Sequence, residues 1–235
     1  MIAVKGLAKR FGRRLVLRGV DFEMGAGEIV ALVGPNGTGK TTFLRILASL
    51  ARPSAGAVSV MGLPIPEEAL RVRGEVGFLA HKSLLYPDLS AEENLRFYGR
   101  LYGVDVSEER IESVLAQVGL ARRRRDPVRI FSRGMEQRLA LGRAILHRPK
   151  VLLLDEAHTG LDQDGAERLN ALLDELAAEG CAILMASHDL EIVAALAGRV
   201  EILIEGRLVD SLAGGQLDEA KLVQRYRALS KGAAK

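Results

Sequence analysis

Gly34-Pro35-Asn36-Gly37-Thr38-Gly39-Lys40-Thr41-Thr42 is the stretch on which the fold turns. An apolar run, Glu28 to Val33, precedes it. After it, Phe43, Leu44, Ile46, Leu47 and Leu50 fall on one helical face that ends before Pro53. Strand, glycine loop and helix form the context in which G-x-x-x-x-G-K-[ST] binds phosphate. Gly34, Gly37 and Gly39 let consecutive backbone N–H groups converge on an anion, and the helix N-terminus adds its partial positive charge. In such a loop Lys40 would pair with the outer phosphates of a nucleotide, and the Thr41 hydroxyl would meet Mg²⁺.

Outward from this loop the chain reads as α/β. Strands are expected at Ile2 to Ala8 and Val16 to Met24 before it, and at Ala57 to Met61 and Val76 to Ala80 after it. Ser90-Ala91-Glu92-Glu93 is a capping box opening one helix, and Ser107 to Val118, stopped by Gly119, reads as another. Residues 82–148 therefore look like a mostly helical insert. Val151 to Leu154 and Ala182 to Ala186 are continuous apolar strands, suited to a parallel sheet covered on both faces, with a helix from Gln163 to Glu179 between them. A hairpin, Val200 to Ile204 and Leu208 to Asp210, turns at Glu205-Gly206. The expected division is a core of 1–80 and 149–210, a helical subdomain of 82–148, and a segment of 211–235 with one helix and a small-residue tail expected to fray.

The bulk numbers bound the function. With 235 residues and 48 % hydrophobic content, the chain can bury the core of one ordinary domain or of a larger one with a subdomain. No apolar run approaches the roughly 18 residues of a membrane helix, and the start lacks a secretion signal, so a cytoplasmic location is expected. The single cysteine, Cys181, sits in an apolar run and reads as a buried thiol. A net charge of +3 without dense basic patches, and the absence of Trp, argue against a nucleic-acid partner. Arg122-Arg123-Arg124-Arg125 would suit acidic lipid or phosphate, but such a run reads first as a solvated helix end or loop.

The remaining chemistry follows the apolar strands. Asp155, at the end of Val151 to Leu154, would emerge beside a nucleotide and hold Mg²⁺ or its waters. Glu156 is placed to polarise an attacking water as a general base. His188, after the next apolar strand, lands on the same sheet edge, where it would reach the outermost phosphate or simply cap the helix that follows.

Phe131-Ser132-Arg133-Gly134-Met135-Glu136-Gln137-Arg138 then separates the families that share a phosphate loop. This segment resembles the signature motif of ABC ATPases. The order of phosphate loop, signature, Asp155-Glu156, Thr159-Gly160-Leu161-Asp162 and His188 is also that family's order, over residues 2–210. The resemblance implies an ATP-hydrolysing P-loop core, with a mixed, mostly parallel sheet and an antiparallel β part, and an inserted helical subdomain. It implies ATP and Mg²⁺ as ligands. It also implies membrane-spanning transporter subunits and a second ATPase subunit as partners, with the chain peripheral on the cytoplasmic face of the membrane. In that family Ser132, Arg133, Gly134 and Met135 would face ATP held by the partner's loop, and Phe11 would stack on adenine; the alternative reading of Phe11 is a core strand residue.

Departures refine the resemblance. Arg133 stands for a usual glycine, Met135 for glutamine and Ala157 for proline. His81 stands where most members carry a glutamine that touches Mg²⁺ and the attacking water and senses the membrane subunit; imidazole changes charge near neutrality. With Leu85 to Tyr98, His81 resembles the haem-exporter ATPases of bacterial cytochrome c maturation. Exporters of drugs, lipids or polysaccharides share much of this stretch. Non-transport ABC proteins usually carry two fused ATPase halves or long coiled-coil inserts, which this sequence lacks, and a non-hydrolysing regulator is disfavoured by the presence of Lys40, Asp155, Glu156 and His188. The apolar Leu84, Leu85, Tyr86 and Leu89 are expected to form a groove for a helix of the membrane subunit, or else to pack on the adjoining helix.

Overall fold

The computed structural model describes residues 1–104, 107–214 and 217–232. In chain order, the hairpin β1 (Ile2–Phe11) and β2 (Arg14–Met24) leads into β3 (Ile29–Val33) and helix α1 (Lys40–Leu47). β4 (Ala55–Val60), β5 (Leu63–Ile65), α2 (Ala69–Glu75) and β6 (Val76–Leu79) follow. Three helices come next, α3 (Ala91–Tyr102), α4 (Glu108–Gln117) and α5 (Arg133–Ile145). The chain then returns as β7 (Val151–Asp155), α6 (Gln163–Ala178), β8 (Ala182–Ser187), α7 (Leu190–Leu196), β9 (Arg199–Ile204), β10 (Arg207–Ala213) and α8 (Glu219–Gly232).

Two sheets result. β2-β1-β4-β5 is antiparallel, and β10-β9-β3-β8-β7-β6 is parallel except for the β10 edge. Strands β3, β7 and β8 are buried at every position, as their unbroken apolar sequences require. Alternate residues serve two cores. Val30, Leu32, Leu153 and Leu184 pack with α1 and the antiparallel sheet, whereas Ala31, Val33, Leu152, Leu154 and Met185 pack with α3–α6. The central strands of the larger sheet are thus sandwiched, and their C-terminal ends stay open to a ligand.

Three short elements are not apparent in the sequence pattern: β5, α2 and α7. At three and seven residues they are too short to show a period. Asp189 starts α7, its carboxylate accepting from the Glu191 and Ile192 amides at 3.1 and 3.3 Å. The tail residues 233–235 lie outside the described residues.

The helical lobe is closed by charge as well as by apolar packing, and here the solvated reading of the arginine run needs correction. Arg122, Arg123 and Arg125 are exposed, but Arg124 turns inward and pairs with Glu92, Glu108 and Glu112, joining α3 to α4. Ser90 caps α3 in the expected box with Glu93, and the backbone of Ala91 and Glu92 donates to Asp126 and Arg124 carbonyls, so the run is stitched to the helix start. The Arg124 hydrogen bond, aided by Arg96 and opposed by burial, draws the Glu92 carboxyl down to about 2 from 4.5. Ionised Glu92 is therefore favoured in the folded chain. Its stabilisation is complete above the unfolded value near 4.5 and is lost as pH falls toward 2. Acid unfolding followed by circular dichroism should show this loss of stability below pH 4.5 in the parent and a shallower one in Arg124→Ala.

Candidate functional site

Four neighbouring parallel strands, β3, β8, β7 and β6, end on one edge of the sheet, and each is followed there by a candidate residue. Gly34 follows β3, His188 follows β8, Asp155 and Glu156 close β7, and His81 stands two residues beyond β6. In the phosphate loop, Gly37 and Gly39 adopt φ of 81° and 114°, a backbone that side chains disfavour. A Cβ on Gly39 would also lie 2.8 Å from the Leu17 side chain. The loop and the strand ends enclose a cavity of about 530 Å³ lined by Phe11, Arg14, Val16, Asn36, Gly37, Gly39, Lys40, Thr41, Thr42, His81, Asp155 and Glu156.

Lys40 is buried and donates to the Gly34 and Pro35 carbonyls at 2.6 and 3.3 Å. Burial lowers its pKa, against the pull of Glu156 and Asp155. Thr41 Oγ1 donates to Asp155 Oδ1 at 3.1 Å, bringing together the two oxygens that the sequence pairs with Mg²⁺. Asp155 is buried, which raises its pKa; the Thr41 bond works against that shift and the nearby Glu156 charge adds to it. Glu156 has a left-handed backbone, φ 59°, with its amide donating to Ala186. Its carboxylate Oε2 lies 2.7 Å from His188 Nδ1, a contact that the sequence did not specify.

Phe11 is 54 % exposed, with the Lys9 ammonium 4.7 Å from its ring centroid, so the core-strand reading fails and the ring is free to face a flat ligand. Arg14 lies opposite Phe11 in the hairpin register and was not singled out by sequence. Strand alternation carried the signal, since Arg14 and Val16 share a face of β2 and both line the cavity.

A second cavity of about 420 Å³ adjoins the first, with His81 and Glu156 in both walls. Arg133, Glu136, Gln137 and Thr159 line it too. Ser132 caps α5 by accepting from Met135 N at 3.2 Å, and Gly134 packs on the Gly160 carbonyl. Of the four residues expected to face a partner's ATP, Ser132, Gly134 and Met135 line neither cavity, and Arg133 borders one. Gln137 Nε2 donates to the Ala157 carbonyl at 3.1 Å, tying the signature helix to the residue after Glu156.

The ABC transporter family description matches residues 17–159. The chain belongs to the ABC transporter family. It is an ATP-binding subunit of that family, an ABC ATPase. It is 32 % identical over 211 residues to the linearmycin resistance ATP-binding protein LnrL of Bacillus subtilis (strain 168), covering 89 % of this chain and 68 % of that protein. It is 36 % identical over 223 residues to the Nod factor export ATP-binding protein I of Burkholderia lata, covering 94 % and 73 %. A dimeric ATP-binding cassette in a post-hydrolysis state bound to ADP and Pi superposes with a TM-score of 0.83 at 26 % identity, over 91 % of this chain and 98 % of that one.

The donors suit Mg²⁺, which takes a few hard oxygens and keeps several waters. Thr41 and Asp155 supply such oxygens, and no cluster of three or more His, Cys, Asp or Glu side chains able to hold a metal occurs among the described residues. Gly39→Ala in this ABC ATPase should weaken ATP binding on the order of tenfold or more, the scale of forcing a left-handed backbone on a side chain. Titration with a fluorescent ATP analogue checks this, and unchanged affinity would mean that the loop tolerates a Cβ.

Proposed function

We propose that this ABC ATPase is the motor of an exporter. It would act as one of two copies that sandwich ATP beneath membrane-spanning subunits carried on other polypeptides. The observation that supports this reading best is the single sheet edge that gathers Lys40, Thr41, Asp155, Glu156 and His188, while Ser132 stands exposed at the head of α5. A signature that meets no phosphate within its own chain suits a phosphate held by another. No helix among the described residues is long and apolar enough to cross a membrane. As the partner of such membrane-spanning subunits, the chain would sit peripherally, at the cytoplasmic face.

In this mechanism Phe11 takes the adenine face, and the loop amides of Gly34 to Thr42 take the phosphates. Lys40 exchanges the Gly34 and Pro35 carbonyls for phosphate oxygens. Mg²⁺, held by Thr41 and Asp155 with His81 at the rim, would neutralise phosphate charge when bound. Glu156 accepts the proton of the attacking water, and His188 fixes that carboxylate through its 2.7 Å contact. Ser132, Arg133, Gly134 and Met135 would close on the partner's ATP. The lobe of residues 82–148 would carry that closure, with the core of 1–80 and 149–210 holding the nucleotide and 211–235 as an appended segment.

We infer further that the exporter is of the haem type that serves cytochrome c maturation, a reading that rests on His81 and on the Leu85 to Tyr98 segment. The resistance and Nod factor relatives favour the second reading, a drug, lipid or polysaccharide exporter. Leu84 and Tyr86 are half exposed and Leu85 packs on the core, which leaves part of the anticipated apolar groove open to a membrane subunit. Deleting the gene should abolish covalent haem attachment to c-type cytochromes under the first reading. Under the second it should leave attachment intact and raise sensitivity to a secreted compound.

Lys40→Ala should lose ATP binding, whereas Glu156→Gln should bind normally and hydrolyse roughly 10²-fold or more slowly, the scale of general-base catalysis. A parental rate in Glu156→Gln would remove Glu156 from the base's role. The same variant, sized by light scattering with and without ATP and Mg²⁺, should dimerise only with both. His81→Ala should weaken stimulation by the membrane subunits more than ATP binding, checked by ATPase rates of the reconstituted complex.

A further inference from the structure

Strand β6 is the edge of the large sheet, pairing with β7 alone. In a parallel ladder alternate carbonyls point to opposite sides, so those of Val76 and Phe78 share the open edge. Neither is left to water. His147 Nε2 lies 3.2 Å from the Val76 carbonyl oxygen, and Arg143 Nη2 donates to that of Phe78 at 2.8 Å. Between them stands Gly77, where a Cβ would lie 2.3 Å from the Ala144 carbonyl oxygen, so helix and strand backbones meet directly. Three positions near the end of the signature helix are thus keyed to three consecutive residues of the edge strand.

Both side chains are committed to this contact. Arg143 is 4 % exposed, its Nε has no hydrogen-bond partner among the described residues, and its guanidinium lies 5.1 Å from the Tyr98 ring centroid. The Tyr98 hydroxyl donates to the Leu84 carbonyl. His147 stacks on Tyr102 at 4.0 Å, and burial above all, with Arg110 and Arg143 adding to it against the Val76 bond, pushes its pKa down to about 4. The ring is neutral at physiological pH, and its one N–H is assigned to Nε2 by the Val76 carbonyl. Arg110 secures the same helix end by donating to the Ile145 and Leu146 carbonyls.

His81 lies between the two ends of this arrangement. Arg143 grips Phe78 before it directly and Leu84 after it through Tyr98. At the far end of the same helix stands Ser132. The geometry points to Arg143 and His147 as positioning residues for ATP hydrolysis: a latch that locks the signature helix to the edge strand leading into His81, so that signature and His81 move as one lever. This rests on the ATP-sandwich reading above, and it adds two residues that touch no nucleotide.

The test uses the full chain with His147→Phe, which keeps the stack on Tyr102 but loses the donor, His147→Gln, which restores a donor, and Arg143→Met, which fills the space without charge. ATP affinity of the single chain should stay within about twofold in all three, because the phosphate loop is untouched. In His147→Phe and Arg143→Met, kcat and ATP-driven dimer affinity in the Glu156→Gln background should each fall at least about tenfold, and His147→Gln should return both to within about threefold. Spin labels at Lys5→Cys and Arg129→Cys in a Cys181→Ala background should show a broader lobe-to-core distance distribution in the first two variants and a parental one in His147→Gln. Parental kcat and parental distances in His147→Phe and Arg143→Met would overturn the latch. So would a parallel loss of ATP affinity, kcat and melting temperature that His147→Gln does not repair, since that marks a merely structural contact. A parent that never dimerises with ATP would instead overturn the sandwich, and the distance measurement would still decide the latch.

Discussion

In a parallel sheet every strand ends on the same side, and this constraint organises the whole chain. Strands β3, β8, β7 and β6 lie next to one another, so residues 34, 188, 155–156 and 81, scattered over most of the sequence, are brought to one edge. Both faces of the central strands β3, β7 and β8 are covered, one by α1 and the antiparallel sheet, the other by α3–α6. The ends of β3, β8, β7 and β6 stay open to a polar ligand at the place where α/β sheets commonly bind. The burial that stabilises the sheet is the same burial that drives Lys40 and Asp155 from their ordinary pKa values.

Burial also explains how the site is held ready. Lys40 and Asp155 are costly to bury unpaired, and each has a partner on the loop, Lys40 in backbone carbonyls and Asp155 in Thr41. Glu156 adopts a backbone that few residues tolerate, held by Ala186 beneath and His188 beside it. In the proposed mechanism these contacts would hold Asp155 and Glu156 in place before a phosphate arrives, while Lys40 would exchange its carbonyl partners for it.

The helical lobe follows a different rule. Its apolar core is continuous with one face of the sheet, but α3 and α4 are also drawn together by Arg124 and its three carboxylates. The signature helix belongs to this lobe at its start and to the sheet at its end, where it covers the open β6 edge. Covering an edge strand prevents it from pairing with another chain. Here the cover also links the residues before and after His81 to the helix that presents Ser132.

The sequence by itself determined the phosphate loop, the two apolar strands Val151 to Leu154 and Ala182 to Ala186, the helices opening at Ser90 and Ser107, and the signature segment, and hence the family. All of these are local: they depend on glycine placement, caps and apolar runs, which act over a few residues. The tertiary structure decided what depends on distant segments meeting. It turned Arg124 inward, exposed Phe11 and set Arg14 beside it, joined Glu156 to His188, and seated Arg143 and His147 on the β6 edge. Residues separated by 32 to 71 positions make the last of these contacts, and no local pattern encodes such a pairing. The short β5, α2 and α7 escaped for the opposite reason, since seven residues or fewer are too few to reveal a period.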